Sequence, residues 1–240
     1  MPQEIKHIME VIPKFREIIE NLEKIKRFMV KESSINYRSQ DARMVALDSL
    51  QITISAVEMW IQCCNSLANC HTRGKLFDEQ QFLKSVGSGV NKDQTEMIMF
   101  DHLKLGFITL AHFKIDNLFQ NILRHLNVLP GEKTGYWTLT DTILKECSIS
   151  PKGAEKDYLI AFANIRNSLH NNGIHRGEDL EVAIDGMEFK FMKNSPVEYA
   201  TWEHIIVLLN ANVKILEKIL QSDRVKNIKT PIKDDFAFGA

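Results

Sequence analysis

The chain has 240 residues, enough for one large domain or two small ones. Apolar residues at 44% and charged residues at 25% exclude a collagen-like, mucin-like or wholly disordered chain. Thirty basic against 31 acidic residues leave a formal net charge of -1, so any site for nucleic acid or another anion has to be local.

The first segment, about residues 3 to 31, places Ile5, Ile8, Ile12, Phe15, Ile19 and Leu22 at alternating spacings of three and four. That is the stripe of a helix packed on another helix. Pro13 interrupts it, so either the helix kinks there or a new helix starts with Pro13 in its first turn. A second long helix is predicted from about Asp41 to His71, with no Pro or Gly inside it. A short helix at about 78 to 85 is closed by Val86-Gly-Ser-Gly-Val-Asn, the best candidate for an internal boundary.

The third long helix runs from about Asn91 to Asn127. Its apolar residues fall on more than one face, among them Met97, Phe100, Phe107, Leu110 and Phe113, which suggests the central helix of a bundle. A short helix at Thr138 to Cys147 has Thr138 or Thr140 as a possible N-cap. Another follows from Ala154 to Asn172, with Gly173 placed for a left-handed C′ residue. Then the period changes to two. Leu180, Val182 and Ile184 lead into Asp185-Gly186, and Met187, Phe189 and Phe191 follow, the pattern of a β-hairpin with a type I′ turn. The last helix spans about Pro196 to Ser222. The expected fold is all-α: a bundle of long antiparallel helices with one small β-hairpin near residues 180–192. The expected organisation is an N-terminal helical region at 1–88, a helical bundle with hairpin at 91–222, and a flexible tail at 223–240.

Four cysteines are too few for a disulfide scaffold, and three of them lie within eight residues of one helical pattern. The N-terminus lacks a signal-peptide h-region, and the apolar runs fall short of the roughly 18 residues of a membrane span. A soluble cytoplasmic protein with no membrane contact is the expectation. Cys63 and Cys70 lie about 10 Å apart on a straight helix, too far to share one metal ion. Small buried thiols are expected instead, with no metal and no cofactor. His102, His112 and His125 are expected as satisfied core or edge histidines.

One segment stands out: Arg166-Asn167-Ser168-Leu169-His170-Asn171-Asn172-Gly173. Arg166 and His170 are four apart on a helix and share a face. Asn171, Asn172, His175 and Arg176 gather around the helix end. A guanidinium can brace two phosphate oxygens, an imidazole can move protons near neutral pH, and an amide can orient the imidazole or bind a base edge. The competing assignment is a helix end rich in capping amides, with Arg166 paired to a neighbouring carboxylate.

Arg166, Asn167 and His170 near a helix end, in an all-helical order, resemble the HEPN superfamily. The resemblance covers about Asn91 to Ser222; residues 1–88 look like an added helical region. It implies a metal-independent endoribonuclease whose Arg and His act at a shared cleft of a homodimer, often within toxin–antitoxin or antiviral defence systems. It names Arg166 and His170 as catalytic and RNA as substrate. Asn167, Asn171, Asn172, His175 and Arg176 are then supporting or substrate-binding groups. Three residues separate Arg166 from His170, fewer than is usual in the family, and eight separate Arg166 from His175. Either His170 serves from a shifted position, or the site has lost catalysis and the chain is a non-catalytic helical module that binds a nucleotide or a protein partner.

Overall fold

The computed structural model describes residues 9–33, 35–36, 40–70, 92–131, 133–198 and 200–234. The expected short helix at 78–85, the boundary at 86–91, and Ile5, Ile8 and His71 lie outside the described residues. The described chain forms α1 (Ile12–Ser33), α2 (Ala42–Cys70), α3 (Lys92–His125), α4 (Tyr136–Glu146) and α5 (Ala154–His170). Strands β1 (Leu180–Ile184) and β2 (Met187–Phe191) follow, then α6 (Trp202–Gln221) and the single turn α7 (Asp223–Lys226). The fold is all-α with one two-stranded sheet.

Five long helices close a ring through packed neighbours: α1 on α2, α2 on α3, α3 on α5, α5 on α6, and α6 back on α1. Pro13 falls in the first turn of α1, where its missing N–H is no loss. Phe15, Ile18, Leu22, Ile25 and Met29 of α1 are buried at helical spacing. Phe15 from α1, Phe107 from α3 and Trp202 from α6 meet inside the ring, with centroids 5.6 to 6.2 Å apart. Such aromatic contacts add specific geometry to their burial. One hydrophobic core takes residues from α1 and α2 as well as from α3 to α7, so the expected division near residue 88 does not divide the packing.

Residues 42–66 of α2 are long and apolar enough, by length and composition, to cross a membrane. Polar residues are spread thinly through the stretch, so no uninterrupted apolar run marks it although its mean hydropathy is high. Here one face of α2 is buried through Met44, Leu47, Leu50, Ile54, Val57 and Ile61. Its Asp48 and Glu58 pair with Lys26 (2.9 Å) and Arg16 (3.0 Å) of α1.

Several local expectations are corrected. The helix α4 starts at Tyr136 with Gly135 as N-cap, not at a threonine. Thr140 instead returns its hydroxyl to the Tyr136 carbonyl (2.8 Å), which a residue inside a helix can do. The helix α6 starts at Trp202, capped by Thr201, because Pro196 is engaged in an isolated bridge with Ile174. The helix α3 belongs to the ring rather than to its centre, and Leu110 (51%) and Phe113 (38%) on it are exposed. Residues 223–234 are not a loose tail: Val225, Ile228 and Ile232 are buried, and Asp234 accepts from Asn117 and Asn121 of α3.

The hairpin forms as its period predicts. Val182 pairs with Phe189 and Leu180 with Phe191, which puts these side chains on one face. Ile184, Phe189 and Phe191 are buried against the bundle. Asp185 (φ 50°) and Gly186 (φ 80°) supply the two positive angles of a type I′ turn.

Candidate functional site

Helices α3 and α5 run antiparallel along one seam. Thr109 of α3 meets His170 of α5 at 3.1 Å between Oγ1 and Nε2. One turn further along α3, His112 lies over Phe162, with ring centroids 6.2 Å apart. Thr109, His112 and Asp116 recur every three or four residues, so they share the face of α3 turned to α5. The N-terminal residue of α4, Tyr136, closes the seam from the side, its ring 4.5 Å from that of His112.

Arg166 is half-buried in this seam. Its Nη1 donates to the side-chain oxygen of Asn167 at 2.7 Å. Its Nε is buried without a partner. Among the described residues no carboxylate lies at ion-pair distance from it, so the expected pairing of Arg166 with a neighbouring carboxylate is not formed there. Asp116 is the acid that feels its charge; burial pushes the Asp116 pKa up, while a hydrogen bond from Gln120 (3.2 Å) and Arg166 pull it down. Burial, aided by the Arg166 charge, drives His112 down to about 4. Desolvation penalises an imidazolium, and a neighbouring cation adds to that penalty. Burial also pushes the Tyr136 phenol far up.

Arg166, Asn167 and His170 are thus brought together, with His170 exposed at the rim. The other expected groups are not gathered at the guanidinium. Asn171 and Asn172 finish the helix: Asn172 takes the left-handed C′ position (φ 54°), and Gly173 follows at φ 80°, its N–H bonding the Ser168 carbonyl at 2.8 Å. His175 is buried, with Nε2 on the Glu178 carbonyl (2.9 Å) and its ring against Phe191. It sits near Asn164, about 200° around α5 from Arg166. Its role is packing between α5 and the hairpin. Arg176 is exposed and bonds Asn194 at 2.9 Å.

His112 also corrects an expectation. It is buried, but its Nε2 has no hydrogen-bond partner, so it is not a satisfied core histidine. Thr109, His112, Asp116 and Tyr136 are the site residues that sequence reasoning missed. The three on α3 carry a polar period that could have been noticed, but it runs through a helix dense in apolar residues. Among the described residues, no group of three His, Cys, Asp or Glu side chains is placed to hold a metal ion. The expectation of buried thiols holds for Cys64 but is corrected at Cys63, which is exposed.

No protein-family model, no curated protein and no solved structure matches the chain.

Proposed function

We propose that the protein is a metal-independent endoribonuclease of HEPN type, with Arg166 and His170 as its catalytic residues. The observation that carries this reading is the half-buried Arg166 guanidinium, with no carboxylate at ion-pair distance among the described residues, four residues from an exposed histidine. A half-buried guanidinium whose one side-chain hydrogen bond goes to a neutral amide favours an anion. In the proposed reaction Arg166 neutralises the charge that builds on the scissile phosphate. His170 takes the proton of the ribose 2′-hydroxyl or gives one to the leaving oxygen, and Thr109 orients its ring. The products are a 2′,3′-cyclic phosphate and a free 5′-hydroxyl. Such an enzyme fits a role in toxin–antitoxin or antiviral defence, as the resemblance implies.

RNA incubated with the protein in EDTA should be cut. His170→Ala should slow cleavage by about 10²- to 10⁴-fold, the usual cost of losing a proton-transfer group. Arg166→Lys should fail like Arg166→Ala, because a point charge cannot reproduce the guanidinium fork. Each variant should keep its thermal midpoint, since His170 is exposed and Arg166 has one side-chain hydrogen bond, to its own neighbour. The hydrogen bond that occupies His170 Nε2 favours a second reading, a nucleotide-binding module that does not cut. Binding of RNA through Arg166 with no cleavage would decide for it.

The proposal includes a homodimer. Leu110 and Phe113 leave apolar surface exposed on α3 beside Thr109, and a second copy would cover it. Light scattering should give twice the mass of the chain, and Phe113→Glu should halve it; a monomer at all micromolar concentrations would exclude the shared cleft.

A further inference from the structure

A buried polar atom without a hydrogen bond is costly, so each one in a folded protein calls for a reason. Among the described residues, seven side-chain atoms are of this kind, and three belong to the seam: His112 Nε2, the Tyr136 hydroxyl and Arg166 Nε. They come from three different helices. His112 is only 8% exposed, and its ring lies against Tyr136.

All three can donate. A neutral imidazole donates from Nε2 in one of its tautomers, a phenol donates its proton, and a guanidinium has no acceptor at all. Tyr136 is also the first residue of α4, a helix of 11 residues. Its N-cap, Gly135, has no side chain to accept, and no acidic residue lies in the first turn. The start of α4 therefore carries no side-chain cap and no first-turn acid to offset the positive end of the helix dipole. Asp116 is the acid nearby, but its oxygen accepts from Gln120 and from none of the three donors. Around Gly135 there is open space: apart from its two chain neighbours, no described atom lies within 4 Å of where a Cβ would stand.

Three donors left without hydrogen bonds in one seam, beside an acid that accepts from Gln120, are complementary to an acceptor-only guest. We propose that the seam between α3, α4 and α5 binds a phosphate oxyanion, with the Tyr136 hydroxyl and His112 Nε2 donating to it beside the Arg166 guanidinium. This rests on the ribonuclease reading and deepens it. It makes His112 and Tyr136 phosphate ligands of the RNA, beyond the Arg166–His170 motif.

Inorganic phosphate titrated into the full chain tests this, followed by the imidazole nitrogen resonances at constant ionic strength. The His112 ring should shift saturably with phosphate but not with chloride. Tyr136→Phe and His112→Leu should each weaken phosphate binding about tenfold, the cost of one lost hydrogen bond to a charged group. Tyr136→Phe should also keep or raise the thermal midpoint, because it removes a buried hydroxyl that makes no close hydrogen bond among the described residues, with the Thr140 hydroxyl as its weak neighbour. That pairing, weaker binding with unreduced stability, is what a purely structural tyrosine would not show. Equal phosphate affinity in wild type and Tyr136→Phe overturns the proposal. So does a chloride response equal to that of phosphate, or a clear fall in the midpoint of Tyr136→Phe. RNA cleavage measured in parallel separates the two readings. Phosphate bound through Tyr136 with RNA left intact removes the ribonuclease and keeps the oxyanion site. RNA cut equally well by wild type and Tyr136→Phe keeps the ribonuclease and removes the role given to Tyr136.

Discussion

His112 stays neutral well below the pH at which an ordinary histidine takes up a proton, with a pKa of about 4 in the fold. The cause is burial first and the Arg166 charge second. In the unfolded chain the same ring titrates near its usual value of 6.5. As pH falls from about 6.5 towards about 4, the unfolded state binds a proton that the folded state refuses. Stability that is intact above about pH 6.5 is therefore lost through that window, by about 3 kcal/mol at its lower end. His204 is depressed by burial too and acts in the same direction, so the comparison has to be made against a variant. Urea unfolding of wild type and His112→Leu between pH 7.5 and 4.5 should show a steeper loss in wild type. Parallel curves would mean that the buried imidazole is already solvated or paired.

At the scale of elements, what the sequence reveals depends on whether one segment holds the whole signal. The hairpin is local: its period of two, its register and its turn all lie within residues 180–191, so every part of it could be read. Arg166 and His170 share one helix at a spacing of four, so their common face was visible as well. The rest of the site is assembled across elements. Thr109 and His112 come from α3 and Tyr136 from α4, and nothing in their own segments says which helix lies opposite. The misplacement of α3 has the same origin. A wide apolar surface shows that several faces could be covered, not which ones are, and Leu110 and Phe113 are exposed. The end of α5 shows how amides mislead: Asn171 and Asn172 look like ligands in the sequence, yet they close the helix.

The whole molecule is closed by a buried pair of charges outside the seam. Asp41 stands just before α2, and its side chain accepts from the backbone N–H of Arg43 at 2.9 Å, an N-cap. The same carboxylate holds Arg43 Nε (2.9 Å) and Nη2 (2.8 Å), and it takes the N–H of Ile232 at 2.9 Å. Arg43 Nη1 then reaches the carbonyls of Val225 (3.1 Å) and Ile228 (3.2 Å). Both side chains are fully buried. The start of α2 is thereby tied to the segment after α6, a link across most of the sequence that no local pattern could announce. Charges this deep are tolerable only because their hydrogen-bonding capacity is used. Arg43→Ala leaves a carboxylate without its cation and two carbonyls without their donor. It should cost about 3–5 kcal/mol, the usual penalty for breaking a buried pair. Arg43→Lys should recover part of this, since an ammonium can meet the carboxylate but cannot also span the two carbonyls. Urea midpoints of the three proteins measure the order, wild type above Arg43→Lys above Arg43→Ala. Hydrogen exchange at Ile232 should quicken in step, because that N–H depends on the same carboxylate. A loss below about 1 kcal/mol in Arg43→Ala would show that water reaches the pair and that the segment after α6 is held by its other contacts, the buried apolar residues and Asp234.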